Sequence, residues 1–323
     1  MRCRIKFGMT DMFRYTKYMP GVLAILIANL IWGVAPPIFK FVLTDIPPFT
    51  LGFIRFFVAG LIFVPFILKN GRSLKGKYLM HIIFGGIWGI SINVAFFFLG
   101  LKLAPSINVH IIGSLGPIVL YILSLIILKE KAHPQIIKGM LISLLGAVII
   151  VFAPIIQAGI KHDTTYSISS QIIGNIFFIM SMLGAVFMII HIKKVAAKVD
   201  TSTITGIQFF VGAISFLPFM LNELKTWSFS ELTSVSWIGI LYGIFLSSAL
   251  AYYLHNFAIK KIPAQQIGIY GYIMPVVAVI VAIPLLKEYP DLFFIVGAAF
   301  VFLGMFISER HPHYQKLHKR LHQ

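Results

Sequence analysis

Two long stretches of the chain repeat one pattern of residues at a constant distance of 158 positions. Residues 101–131 align in this way with residues 259–289. A second alignment, at a distance of 153 positions, sets residues 53–66 against residues 206–219. The chain is therefore built from two copies of one apolar unit. If each copy crosses a membrane an odd number of times, the copies have opposite orientations, which is how carriers with alternating access are built.

Composition excludes an ordinary soluble protein. Hydrophobic residues make up 59% of the chain and charged residues 11%, and the mean hydropathy is +0.92. The formal net charge of +17 is typical of a nucleic-acid binder, but the basic residues lie in short gaps between apolar stretches rather than in one patch. We therefore expect no nucleic-acid partner. The single cysteine, Cys3, excludes an internal disulfide.

Ten apolar stretches are long enough to cross a membrane, which takes about 20 helical residues. They are residues 20–42, 47–68, 79–100, 105–127, 134–157, 170–192, 202–222, 236–259, 264–286 and 290–308. With the N-terminus inside, the inner segments, together with Lys138 at the inner end of the fifth span, hold 21 Lys and Arg residues, and the outer loops hold 4. The positive-inside rule then predicts a plasma-membrane protein with both termini in the cytoplasm. We predict an all-α integral membrane protein with ten transmembrane helices in two inverted five-helix repeats.

The spans and the polar gaps divide the chain into five parts. These are a cytoplasmic N-terminal arm (1–19), a first five-helix repeat (20–157), an external linker (158–169), a second five-helix repeat (170–309) and a cytoplasmic basic tail (310–323). In the tail, His318 and His322 have a spacing that can bind zinc on a helix, but no Cys or acidic residue is near. We expect the tail to rest on anionic headgroups, and no metal site.

Four local motifs resemble those of the drug/metabolite transporter superfamily, in its EamA-type branch. The first span contains ANLIWGVAPPIFK (28–40), the second contains PPFTLGFIRFF (47–57), and spans four and nine each carry a Gly-flanked Pro before an apolar run that ends in Lys-Glu. The resemblance implies export or exchange of small metabolites by alternating access, with the substrate held between the two helix sets. The second repeat departs from the motif, because its first helix (181–194) lacks the tryptophan.

Three prolines are candidate hinges: Pro36 in the first span, and Pro117 and Pro275 at equivalent positions of spans four and nine. A proline inside a helix frees a backbone carbonyl, which in lipid needs a partner or a water-filled cavity. Matched breaks in two halves are typical of a transporter's binding site. The alternative interpretation is that these prolines are packing kinks.

Arg55 is the one strongly charged residue deep in a span, about 12 Å from the start of its helix. No acidic residue lies at comparable depth, so either an anionic group of the substrate or carbonyls freed by the prolines must offset its charge. A role in capping helix ends remains an alternative. Its equivalent in the second repeat is Gln208. Lys40, near the outer end of span one, is explained by snorkelling.

Polar residues at helical spacing form further candidate contacts with the substrate. Such faces point inward because polar groups facing lipid are costly, although hydrogen bonds between helices explain them equally well. The candidates are Asn29, Trp32, Trp88, Asn93, His110, Ser114, Tyr252, His255 and Tyr270, together with Arg55 and Gln208.

A carrier explains the repeat, the breaks and the buried arginine together. We expect a secondary transporter for a small metabolite, such as an amino-acid-like solute, that works in export or exchange. A lipid scramblase or flippase is the alternative, followed by an intramembrane enzyme, for which no deep acidic residue is available. The expected partners are a small-molecule substrate and membrane lipids, with a homodimer left open, and we expect no cofactor.

Overall fold

The computed structural model describes residues 9–71, 74–104, 106–157, 168–286 and 292–309. These residues are almost entirely helical, and no strand occurs among them. Helix starts at Met9, so part of the predicted N-terminal arm is helical. Most of the predicted external linker and the whole basic tail, with its two histidines, lie outside the described residues.

The described part of the first half of the chain forms six helices. They are α1 (Met9–Val42), α2 (Pro48–Asn70), α3 (Gly76–Leu103), α4 (Ile107–Gly113), α5 (Gly116–Ile126) and α6 (Pro134–Gln157). A central stretch of α3, Ile87–Ile92, is π-helical. A proline is tolerated at the start of α2 because the first helical positions need no intrahelical N–H bond.

The described part of the second half repeats this order. Its helices are α7 (Ile168–Lys193), α8 (Thr201–Glu223), α9 (Ser234–Leu241, the π-helical Tyr242–Leu250, and Ala251–Lys261), α10 (Ala264–Tyr270), α11 (Ile273–Leu286) and α12 (Leu292–Glu309). The carboxylate of Asp200 caps α8 by accepting a hydrogen bond from the backbone N–H of Thr203 at 3.1 Å. Each helix of the first half therefore has a counterpart six helices later.

Six helices among the described residues are long and apolar enough to cross a membrane. They cover Tyr18–Val42, Pro48–Asn70, Gly76–Leu103, Ile172–Lys193, Thr201–Glu223 and Ser236–Lys261. Shorter apolar stretches are Gly116–Ile126, Pro134–Gly146 and Ile295–Ser308. The all-helical fold agrees with the predicted class, while the count of ten spans stays a prediction.

Two pairs of equivalent helices, α6 with α12 and α2 with α8, pack against each other in antiparallel directions. A Cβ atom added to Gly139 of α6 would lie 2.5 Å from the carbonyl oxygen of Gly304, and one added to Gly146 would lie 2.4 Å from that of Gly297. Only glycine permits such an approach of two backbones. In the repeat alignment, Gly139 is equivalent to Gly297 and Gly146 to Gly304. The first glycine of each helix therefore faces the second glycine of the other.

Helices α2 and α8, which are also equivalent in the two halves, pack in antiparallel directions as well. The ring of Phe49, near the start of α2, stacks on Phe219 near the end of α8, with 4.8 Å between ring centres. Further along α2, the ring of Phe63 lies 5.7 Å from that of Phe209. These contacts run in opposite directions along the two helices, so the halves are related as inverted repeats.

The predicted breaks in spans four and nine are present as gaps between two short helices. The first gap lies at Ser114–Leu115, between α4 and α5, and the second at Gly271–Tyr272, between α10 and α11. Pro117 and Pro275 lie in the first turn of the helix that follows the gap, where a proline costs no hydrogen bond. The breaks therefore precede the prolines. In contrast, α1 continues through Pro36.

Candidate functional site

A cavity of about 260 Å³ lies between the two halves, and both contribute to its wall. We call it the central cavity. Eleven of the residues predicted from the sequence line it: Asn29, Trp32, Pro36, Arg55, Asn93, His110, Ser114, Pro117, Tyr252, His255 and Pro275. The two gaps lie in its wall, so the broken helices expose backbone to the cavity rather than to lipid, as a membrane requires.

Three predicted residues lie outside the wall. Trp88 packs on Phe187, with 4.7 Å between ring centres. Gln208 is fully buried, and its Oε1 accepts a hydrogen bond from Nδ2 of Asn256 at 2.7 Å. Tyr270 is buried at the end of α10. The contacts of Trp88 and Gln208 join α3 to α7 and α8 to α9 in this conformation.

Other lining residues were not predicted from the sequence. The apolar part of the wall includes Phe39, Phe97, Phe178 and Met182, and the polar part includes Ser181, Ser247 and Tyr272. Tyr272 lies in the α10–α11 gap, which a projection at helical spacing does not represent. The repeat alignment could have identified Tyr272 as a lining residue, because it is the equivalent of Ser114, which was predicted.

Arg55 is 2% exposed, and residues of α9 bind its guanidinium. Its Nε donates to the carbonyl oxygen of Gly243 at 3.3 Å, and its Nη2 donates to the hydroxyls of Ser247 at 3.1 Å and Ser248 at 3.2 Å. All three acceptors lie in the π-helical stretch, where the ordinary helical hydrogen-bond ladder is interrupted. They are not at the proline breaks, where freed carbonyls were expected.

Aromatic rings surround the same guanidinium. Its central carbon lies 4.2 Å from the ring centre of Phe39, 5.1 Å from that of Phe56 and 5.5 Å from that of Phe98. The faces of aromatic rings attract a cation, and desolvation strengthens this attraction. Ring contacts and neutral acceptors together therefore offset the cost of burying the charge. The described residues that line the cavity include no carboxylate, so Arg55 gives this wall a positive charge.

Trp32, Tyr252 and His255 form an aromatic cluster at one side of the cavity. The ring of Trp32 lies 5.0 Å from that of Tyr252 and 5.1 Å from that of His255. Trp32 Nε1 donates to the carbonyl oxygen of Ser247 at 3.0 Å, and the Tyr252 hydroxyl donates to that of Gly89 at 3.0 Å. Both carbonyls belong to π-helical stretches, so these stretches supply acceptors on both sides of the cluster.

Asn93 forms hydrogen bonds with the other half of the molecule. Its Nδ2 donates to the carbonyl oxygen of Ser181 at 2.7 Å and to the hydroxyl of the same residue at 3.0 Å. The contact joins α3 to α7, and it leaves Asn93 as a wall residue whose amide donors are already used.

Among the described residues of the wall, three buried polar atoms have no hydrogen-bond partner within the described part of the chain. They are Nδ2 of Asn29, Nδ1 of His255 and the hydroxyl of Tyr272, on side chains that are 3%, 5% and 1% exposed. Leaving a buried polar group unpaired costs about 1–3 kcal/mol. Such atoms at the wall of a cavity are typical of a binding site. Among the described residues, no group of three or more His, Cys, Asp or Glu side chains could hold a metal ion.

Two regions of the chain, residues 19–152 and 172–309, match the EamA-like transporter family. The chain belongs to this family. The two matched regions correspond to the two halves described above, and they confirm the resemblance to the drug/metabolite transporter superfamily drawn from the motifs. As an EamA-like protein the chain is a multi-pass membrane transporter and not an enzyme.

The relatives of this EamA-like protein are transporters. It is 26% identical to the uncharacterized transporter YetK of Bacillus subtilis, over 90% of this chain and 87% of that protein. It is 26% identical to an uncharacterized transporter of Archaeoglobus fulgidus, over 90% and 98%. It is 22% identical to the aromatic amino acid exporter YddG of Ancylobacter novellus, over 74% and 79%. A solved crystal structure shares the fold, with a TM-score of 0.69 at 19% identity over 91% of this chain and 98% of its own.

Proposed function

We propose that this EamA-like protein carries a small amino-acid-like solute across the plasma membrane by alternating access, as an exporter or exchanger with both termini in the cytoplasm. The central cavity with its three unpartnered polar atoms is the observation that carries the proposal. A related protein is an aromatic amino acid exporter, which supports the substrate class. The antiparallel halves support alternating access, because inverted repeats can exchange their conformations.

The chemistry of the wall favours a solute with a carboxylate and an apolar part. Arg55 supplies positive charge, and Asn29 Nδ2 and the Tyr272 hydroxyl supply free donors for carboxylate oxygens. Phe97 and Phe178 supply apolar surface for a side chain. A cavity of about 260 Å³ suits a ligand of amino-acid size better than a lipid with two acyl chains.

Thermal stability of the purified protein, measured against a panel of amino acids, tests the proposal. An amino acid present at 100 times its Kd stabilises the folded protein by about 2.7 kcal/mol. Tyr272→Phe removes only the unpartnered cavity hydroxyl, and we expect it to weaken binding of the stabilising amino acid. Tyr270→Phe, two residues away and outside the wall, is the matched control and should bind like the parent.

Transport itself is tested by counterflow of the stabilising amino acid in proteoliposomes. We expect labelled amino acid to accumulate inside vesicles that are preloaded with the unlabelled form. If no amino acid raises the melting temperature or undergoes counterflow, the proposed substrate class is wrong.

A further inference from the structure

The turn that joins α9 to α10, at Ile262 and Pro263, is bound from two sides by charged residues of other helices. We call this turn the α9–α10 corner. From one side, Nζ of Lys193, at the end of α7, donates to the carbonyl oxygen of Ile259 at 2.7 Å and to that of Ile262. These carbonyls end α9 and have no intrahelical partner, so a cation is well placed there.

From the other side, a carboxylate reaches the first residues of α10. Oε1 of Glu130 accepts from the backbone N–H of Ala264 at 3.0 Å, and its Oε2 accepts from that of Gln265 at 3.4 Å. Nε2 of Gln265 donates to the carbonyl oxygen of Lys131 at 3.2 Å. Glu130 follows α5, so the first half of the chain holds the broken helix of the second half.

The corner lies at one end of the molecule, and α1 shows which end. Gly21, near the predicted cytoplasmic end of α1, packs against the side chains of Lys261 and Ile262. At the far end of the same helix, Nζ of Lys40 donates to the carbonyl oxygen of Ala104 at 2.9 Å, where α3 ends. Gly21 and Lys40 are 19 positions apart, which corresponds to about 28 Å of helix. The α9–α10 corner is therefore about one hydrocarbon thickness away from the end of α3.

The two lysine contacts are equivalent in the repeats. Lys40 ends the first helix of its half and binds the end of the third, as Lys193 does in the other half. The acceptors Ala104 and Ile262 are separated by the repeat distance of 158 positions. Lys40 was expected to snorkel; instead it holds α3. A substitution at Lys40 therefore provides a matched control for one at Lys193, because it removes the equivalent contact at the opposite end of the molecule.

The corner also determines the position of the cavity wall. Ile267 and Gly268 line the central cavity, and they follow the residues held by Glu130 within one short helix. Ile267 is 3% exposed and Gln265 is also 3% exposed, so this end is closed. To open the cavity towards the predicted cytoplasmic side, α10 has to leave the carboxylate and the α9 carbonyls have to leave the ammonium group.

We infer that Glu130 and Lys193 form a clasp that keeps the cytoplasmic mouth of the central cavity closed, and that its release is a step of the transport cycle. The inference rests on the alternating access of the proposed function. Glu130 and Lys193 are positioning residues, because they act on the cavity through α10 and α9 and do not line it.

Accessibility of a single cysteine tests the clasp without any substrate. In a full-length Cys3→Ser background, Ile267→Cys places a thiol on α10 at the cavity wall. A membrane-impermeant maleimide is added to inside-out membrane vesicles, and the labelling rate is measured. The clasp contains hydrogen bonds to charged groups, so we expect Glu130→Ala and Lys193→Met each to raise this rate about tenfold or more. Lys40→Met, the counterpart at the opposite end, should leave the rate from this side unchanged.

One further variant keeps the result interpretable. Glu130→Gln keeps one acceptor and the side-chain shape, so it serves if Glu130→Ala does not fold, and we expect an intermediate rise. Equal labelling rates in the parent, Glu130→Gln and Lys193→Met would overturn the clasp. An equal rise in Lys40→Met would also overturn it, because the effect would then be general loosening. A protein that shows the predicted labelling but carries no amino acid would contradict only the proposed function.

Discussion

At equivalent positions of the two halves, the first residues of α10 are packed more tightly than the residues at the start of α4. Ala264 and Gln266 are 0% and 8% exposed. Their equivalents one repeat earlier, Ser106 and Asn108, are only half-buried. The α6–α12 contact, by contrast, uses the same positions of both halves. The two halves thus differ in packing where the broken helices begin.

This comparison separates the parts of the molecule that obey the repeat from the part that departs from it. The paired glycines of α6 and α12 and the two lysine contacts are matched, so they belong to the shared framework. The starts of α4 and α10 have related sequences but different packing. In the proposed cycle, exchanging these two packings produces a second state that opens to the other side of the membrane.

The largest loss of stability is expected at the glycine contact between α6 and α12, where the two halves use the same positions. Gly146→Leu and Gly304→Leu should each destabilise the protein by about 3 kcal/mol or more, because their Cβ atoms would lie 2.4 Å from a backbone carbonyl oxygen of the facing helix. Size-exclusion profiles and melting temperatures after detergent extraction measure this. Gly76→Leu is the control, since no heavy atom lies within 4 Å of its Cβ position. A large loss in only one of the two variants would contradict the matched contact.

The next largest loss of stability should differ between two equivalent positions, Arg55 in the first half and Gln208 in the second. Arg55→Gln should lower stability by about 1–3 kcal/mol, because it removes the ring contacts and leaves the acceptors in α9 underused. Gln208→Leu, at the equivalent position, should cost less, about 0.6 kcal/mol, because Asn256 keeps its bond to Thr205. Thermal unfolding without ligand measures both. If Arg55→Gln melts like the parent, then Arg55 does not stabilise α9, and a role in contacting the substrate gains weight.

A smaller difference should appear in labelling at the two broken helices. Asn108→Cys and Gln266→Cys are equivalent positions in a Cys3→Ser background. We expect Asn108→Cys to react with an impermeant maleimide added to intact cells, and Gln266→Cys to be protected in inside-out vesicles, because their burial differs. A faster reaction of Gln266→Cys would reverse the comparison.

The smallest effect concerns the acid stability of the protein at Asp45, near the predicted outer end. Hydrogen bonds from Ser236, Thr233 and Thr44 hold the pKa of the Asp45 carboxyl below its ordinary value of 3.8. This contribution is present above about pH 4 and is lost as the pH falls through the folded-state pKa. Between about pH 5 and pH 3, the melting temperature of the parent should therefore fall more steeply than that of Asp45→Asn. Parallel curves would show that these bonds do not stabilise the fold.

Much of this architecture could be predicted from the sequence, because the repeat and the lipid environment restrict it strongly. Polar side chains in apolar helices must face one another or a cavity, so most predicted residues, among them Asn29, His110 and Tyr252, line one cavity. The partners were harder to predict. Arg55 finds its acceptors 188 to 193 positions away in a π-helical stretch, which leaves no signal at helical spacing. Tyr270 was predicted to contact the substrate, whereas Tyr272, in the gap before α11, is the tyrosine of this segment that lines the cavity.

The π-helical stretch Tyr242–Leu250 makes the lining of the cavity depend on chain length as well as on residue type. A π-helical turn holds one more residue than an α-helical turn. Deleting one residue between 242 and 250 would restore the regular ladder and leave the later residues of α9 on about the same faces, because the wider turn absorbs the extra residue. The carbonyl oxygens of Gly243 and Ser247, which accept from Arg55 and Trp32, would then bond within their own helix. A single deletion in this helix would therefore release two side chains of the cavity wall without substituting either of them.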